Sequence, residues 1–264
     1  MKIDLDNKIV RFLVQEYVNK IYGSSFENEL KWNTYKLIHT FQVVVMADKL
    51  IENTPSPLSE EMKKHIWDGA LLHDLGRCYE FKDGQRLKVD HGEIGAELIR
   101  KNFPELEIEA QSTLFHNKVP SDKDPQSCQP VLDYVRDADM LANLKHQIDE
   151  ADIWLHCILD AKNKSLLTPT IDEEIFLAAK ERRVIIYDKA KTYNLLTSWL
   201  YQLCWYYNLR TEAGKIYAQK EKIFIRFRQI IIDKIVPLTT TDKEEQKQLA
   251  LKIEETFPDE SFSK

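Results

Sequence analysis

The chain is poor in cysteine, glycine and proline, and each shortage excludes something. Its four cysteines, Cys78, Cys128, Cys157 and Cys204, are scattered, with no CxxC or CxxxC pair. That spacing argues against a zinc ribbon or a disulfide framework and fits a reducing compartment. Seven glycines and nine prolines in 264 residues leave few turn signals, and the long periodic segments between them predict an all-α protein. No apolar run reaches membrane-spanning length. The N-terminal "MKIDLDNKIVRFLVQEY" lacks the apolar core of a signal peptide, so we expect a cytoplasmic protein with no membrane contact. A basic excess is also missing. The net charge is -6, so no nucleic-acid partner is expected, although a local positive site for a small phosphorylated substrate stays open. Neither a P-loop nor a dinucleotide fingerprint nor GxSxG occurs, which leaves no sign of those nucleotide sites or of a serine nucleophile.

What is present is helical periodicity. Residues 4–22 and 29–52 read as two helices, the second carrying His39. Ser59 is placed to cap a third helix, which delivers His73 and Asp74 at its C-terminal end, with Gly76 as a natural stop. "RCYEFKDGQRLKVD" reads as irregular, with a turn at Asp83-Gly84. Helices are then predicted from His91 to Phe103, from Pro104 or Glu107 to His116, and from Pro130 through Leu144, with a further helical segment over 147–160. From about 161 the chain turns polar. Amphipathic, aromatic-rich segments follow at 172–210 and 213–236, with Trp199, Leu203 and Tyr206 on one packing face. The strongly charged tail after Pro237 is expected to end frayed.

Within this helical pattern the stretch "ALLHDLGR", Ala70 to Arg77, ends an apolar run in adjacent histidine and aspartate. The chain holds seven histidines in all: His39, His65, His73, His91, His116, His146 and His156. Histidine nitrogens and aspartate oxygens without thiolates suit Mn, Fe, Mg or Zn, with Mn or Fe favoured. His65, next to Lys64, reads as a surface residue, and His146 and His156 read as structural.

The order His39, His73-Asp74, Asp139 resembles the HD superfamily of metal-dependent phosphohydrolases. "LLHDLGR", "VDHGEIGAELI", "LFHNKVP" and "VRDADMLANL" are similar to the wording of a bacterial branch of it, over roughly residues 30–160. The string departs from that wording at Met140 and Asn143, where a basic and an acidic residue are usual.

The resemblance implies an HD-domain helical bundle over 1–165 and a C-terminal helical extension over 166–264 packed on it. The extension would cover the site, limit substrate size or form the surface of a homodimer. His39, His73, Asp74 and Asp139 would hold one divalent ion, and His91 and His116 a second, with Asp74 bridging and Asp137 supporting from behind. The implied reaction is hydrolysis of a phosphoester or phosphoanhydride of a small molecule, a nucleotide in the first instance, by a metal-bridging hydroxide. Asp74 and Arg77 would be the catalytic residues. Arg77 would clamp a phosphate, or else act as a cation on a helix dipole. Lys118 is a further phosphate contact, and Asn117 either orients the substrate or ends a helix. Two other readings use the same residues: a di-iron centre for oxygen-dependent cleavage, and a nucleotide-binding module without turnover.

Overall fold

A computed structural model describes residues 6–118, 124–153, 155, 167–183, 185 and 194–262. The fold is all-α, in two compact units. One comprises residues 1–142 with 210–214, the other residues 143–209 with 215–264. The division expected at 165/166 lies outside the described residues.

The first unit opens with α1 (Lys8–Gly23), whose N-cap Asn7 accepts a hydrogen bond from the Ile9 amide. Its apolar residues Ile9, Leu13 and Tyr17 recur every four positions and are buried, as one face of a 3.6-residue helix requires. Helix α2 (Glu27–Glu52) follows. In α3 (Glu60–Leu72) Ser59 accepts from the Met62 amide and two acids occupy the first turn, so both the cap and the helix dipole favour a start there.

Helix α3 ends at Leu72, but Gly76 is not the stop. The backbone passes through His73 and Asp74 into a 3-10 turn, Leu75–Tyr79. Among the described residues Gly84 is the glycine with positive φ. Gly76 is demanded by a close approach instead. A Cβ there would lie 2.1 Å from the His91 carbonyl oxygen.

The segment expected to be irregular forms a short hairpin. Strands β1 (Phe81–Lys82) and β2 (Gln85–Arg86) pair antiparallel, Phe81 with Arg86 and Lys82 with Gln85. Asp83 and Gly84 both take positive φ, 51° and 73°, the backbone a two-residue hairpin turn needs. The turn was legible; two residue pairs are too few to show a strand period.

Helices α4 (His91–Asn102), α5 (Glu107–Phe115) and α6 (Gln129–Asp149) complete this part of the chain. Asp90 caps α4, accepting from the Gly92 and Glu93 amides. The core gathers Leu13, Val43, Leu50, Ile66, Leu71 and Leu132, all buried. Each contributes roughly 1.5–3 kcal/mol relative to exposure.

The second unit begins within α6 and continues through α7 (Glu173–Glu181), α8 (Leu195–Leu203), a 3-10 turn (Cys204–Asn208), the greater part of α9 (Glu212–Lys220), α10 (Ile223–Ile230), α11 (Val236–Thr239) and α12 (Lys243–Thr256). A π-helical turn, Ile231–Ile235, joins α10 to α11, next to Pro237, which has no amide hydrogen to continue the regular ladder. Trp199, Leu203 and Tyr206 are buried together as expected, and Trp199 stacks on Phe227 at 5.0 Å between ring centroids.

The tail is helical over Lys243–Thr256 with a 3-10 turn over Asp259–Phe262, and the two residues after it, at the end where fraying is expected, lie outside the described residues. Phe257 and Phe262 are buried, and Arg228 donates to the Phe257 carbonyl and to Asp259. Charge dominated the sequence signal there, whereas two aromatic anchors decide the packing. Residues 156–160 of the predicted 147–160 helix, with His156, lie outside the described residues.

Candidate metal centre

His73 follows the last residue of α3 and Asp74 comes next, His91 is the first residue of α4, and His116 follows the last residue of α5. Their placement at helix ends is fixed by contacts from other helices. The Tyr17 hydroxyl donates to the Asp74 carbonyl at 2.8 Å, anchoring the doublet from α1. Arg136 of α6 donates to the Phe115 and Lys118 carbonyls at 2.8 and 3.2 Å and to Asp124 at 2.6 Å. The arginine of "VRDAD" therefore holds the end of α5, where His116 and Asn117 sit.

Two groups of three side chains meet with their ligand atoms within 4.8 Å of one another: His39, His73 and Asp74; and Asp74, His91 and His116. All are buried. In the second group His91 Nε2 and His116 Nε2 are 3.3 Å apart. They lie 3.5 and 3.4 Å from Asp74 Oδ1. Ligand atoms each about 2.1 Å from one ion lie roughly 3.0–3.4 Å apart, so this triangle has the dimensions of a coordination face. In the first group His73 Nε2 is 3.6 Å from the other oxygen, Asp74 Oδ2. Asp139 Oδ1 lies 2.9 Å from His39 Nε2 and 3.9 Å from His73 Nε2. Asp74 thus presents one oxygen to each group.

The ring orientations suit metal binding. His73 Nδ1 and His116 Nδ1 each lie 2.7 Å from a backbone carbonyl, of Ala70 and Thr113. Each ring must donate its Nδ1 hydrogen there, which leaves the Nε2 lone pair facing the centre. Among the described residues His73 Nε2 and His39 Nδ1 are buried without a hydrogen-bond partner. A buried nitrogen left so is costly, and an ion would satisfy His73 Nε2. Burial lowers the His73 pKa to about 4, outweighing Asp74 and Asp139, so the ring is neutral and able to ligate at neutral pH. Burial would raise Asp74, but Lys36, His73 and Arg77 together hold it well below the usual carboxylate range. Asp139 is likewise lowered, burial being outweighed chiefly by His39. Both are carboxylates.

The remaining predicted residues line up differently. Arg77 does not reach outward. Its Nε donates to Asp74 Oδ1 at 3.1 Å and its Nη1 to Glu80 at 2.6 Å. Lys118 is one-third exposed, with its ammonium 3.6 and 3.7 Å from Asp90 and Glu93. Asn117 donates to Asp90 Oδ1 at 3.2 Å, beside the His91 ring. Asp137 does not contact the candidate ligands. It accepts from the Arg210 and Thr211 amides and the Thr211 hydroxyl, bonding the residues that open α9, because a helical side chain two positions from Asp139 points to another face. His65 is not a plain surface residue either. Its Nδ1 pairs with the fully buried Glu109 at 2.6 Å.

Sequence reading missed Lys36 and Glu80. Lys36 Nζ is buried 3.0 Å from Asp74 Oδ2, one helical turn before His39, a spacing that signals a shared face. Glu80 is buried, and burial is outweighed by His91, Arg77 and Arg86 to bring it to about 2. No local pattern marks it.

Residues 37–153 match the family model of the HD domain. No curated protein and no solved structure matches the chain. Among the described residues no helix is long and apolar enough to cross a membrane.

Proposed function

Because this chain is an HD-superfamily protein, we propose that it is a metal-dependent hydrolase of a phosphoester or phosphoanhydride in a small phosphorylated molecule, a nucleotide in the first instance. The observation that supports this reading is one carboxylate, Asp74, shared by two ligand groups, the layout of a two-ion phosphohydrolase centre. Divalent ions bound there, Mn or Fe by the donor set, would supply Lewis acidity toward phosphoryl oxygens and make water acidic near neutral pH.

The chain's own residues divide the remaining work. Lys36 and Arg77 each neutralise one oxygen of Asp74, holding the carboxylate plane so that its oxygens diverge. In this reading Arg77 serves the substrate through Asp74. Asn117 and the partly exposed Lys118 are the proposed substrate contacts, Lys118 by releasing Asp90 and Glu93 for a phosphate. Asp139, with its side chain 29% exposed, is the most exposed of the six candidate ligands.

The test is elemental analysis of chelator-free protein, followed by an anaerobic screen of phosphatase and nucleotidase substrates with Mn²⁺. We expect close to two ions per chain and turnover without oxygen. Asp74→Ala should abolish turnover and lose the second ion; full turnover in that variant refutes the bridge. A strict need for Fe and oxygen would favour oxidative cleavage, and tight nucleotide binding without turnover would favour a binding module.

A further inference from the structure

His91 differs from the other two histidines that flank Asp74. His73 and His116 are oriented by backbone carbonyls, which no substitution removes. The His91 Nδ1 faces side chains instead, Glu80 Oε1 at 3.4 Å and the Asn117 amide nitrogen at 3.4 Å, of which only the carboxylate can accept its hydrogen, while its Nε2 faces Asp74 and His116. We infer that Glu80 is the positioning residue of the second ion site, acting through His91. The inference rests on the two-ion reading of the centre.

Two contacts hold the Glu80 carboxylate in place, and a third fixes its backbone. Arg77 Nη1 donates to Oε1 at 2.6 Å, and Arg86 Nη2 to Oε2 at 3.1 Å. The Glu80 carbonyl accepts from the Leu87 amide at 2.7 Å. Arg86 in turn lies over the Trp32 ring, 4.5 Å from its centroid. Glu80 is therefore clamped by two guanidiniums, one of them on the hairpin. A carboxylate so placed accepts the Nδ1 hydrogen of His91 and leaves Nε2 as the free lone pair. It also makes the imidazole a better donor to a cation. The same guanidinium binds Asp74 Oδ1 and Glu80 Oε1, so Arg77 sets the spacing between the bridging carboxylate and the residue that aims its ligand. The hairpin has a purpose under this reading: it carries the second clamp.

Outer carboxylates of this kind typically change metal affinity by about 10–100-fold. The test is Mn²⁺ titration of the full chain by calorimetry, with circular dichroism as a check on folding. Glu80→Ala should weaken one of two Mn²⁺ sites by about 10–100-fold and leave the other unchanged. Glu80→Gln keeps an acceptor oxygen without the charge and should weaken the same site less. His91→Ala should impair that site too, and adding Glu80→Ala to it should cause no further loss. Wild-type affinity at both sites in a folded Glu80→Ala, equal weakening of both sites, or additive effects in the double variant would each overturn the assignment. So would wild-type protein that binds fewer than two Mn²⁺. If two Mn²⁺ bind and Glu80 behaves as stated but no phosphorylated compound is hydrolysed, the proposed reaction fails and this assignment stands.

Discussion

Gly76→Ala adds one methyl group at the point where the chain leaving Asp74 touches α4. The new Cβ would stand 2.1 Å from the His91 carbonyl oxygen and 2.9 Å from the Gly95 nitrogen. Both are backbone atoms, so no side chain can rotate away. Restoring even a 3.0 Å separation from the carbonyl requires a shift of roughly 0.9 Å, and that shift carries His91 with it. Overpacking a core ordinarily costs about 1–3 kcal/mol, and a backbone clash belongs at the upper end. For a chain of this size each kcal/mol lowers Tm by about 2–4 °C, so a loss of roughly 6–12 °C is expected. The same displacement opens the triangle of His91, His116 and Asp74, and the second Mn²⁺ should bind at least tenfold more weakly. Thermal unfolding in chelator and Mn²⁺ calorimetry measure the two effects. Gly23→Ala, where nothing lies within 4 Å, is the control and should leave both quantities near wild type. A Gly76→Ala protein with Tm within 2 °C of wild type and two intact ion sites would refute the reasoning.

Chelation should lower Tm, because ions that bind only the folded chain stabilise it by about 2.7 kcal/mol at 100 times Kd; a chelator-insensitive Tm in metal-loaded protein would contradict a folded-state metal centre. Arg136→Met removes the donors to Phe115, Lys118 and Asp124 and leaves Asp124 without that partner, so roughly 3–5 kcal/mol of destabilisation is expected, read by urea unfolding. Burial raises the Asp68 pKa despite the Lys64 ion pair. Its contribution to stability is thus present below the unfolded carboxylate range near 4 and is lost as pH rises through the folded value. Asp68→Asn should therefore gain relative stability at neutral pH over pH 3, and an unchanged pH profile would show that the pair fully compensates burial.

The helices on either side of the centre were legible because capping and periodicity are local. Ser59 and the four-residue recurrence in α1 mark their elements without reference to anything distant. The candidate ligand set was legible for a different reason. Histidine and aspartate carry chemistry that few other roles demand, and His39, His73, Asp74, His91, His116 and Asp139 stood in a recognisable order. Helix α2 was harder to interpret, because it buries Glu29, Asn33, Lys36, His39 and Thr40, polar residues that a hydrophobic pattern assigns to solvent.

By itself, then, the sequence determined the helical class, the starts of α3 and α4 and the identity of the candidate metal-binding side chains, since each depends on residue type and on neighbours within about one turn. Only the tertiary structure decided that Asp74 divides its oxygens between two groups, that Arg77 turns inward, that Glu80 faces His91 and that Asp137 of α6 bonds the residues that open α9. Those facts depend on contacts between segments far apart in the chain, such as Lys36 with Asp74 and Asp137 with Thr211. A side chain's direction is set by the packing of the helices that carry it, and no run of neighbouring residues encodes that packing.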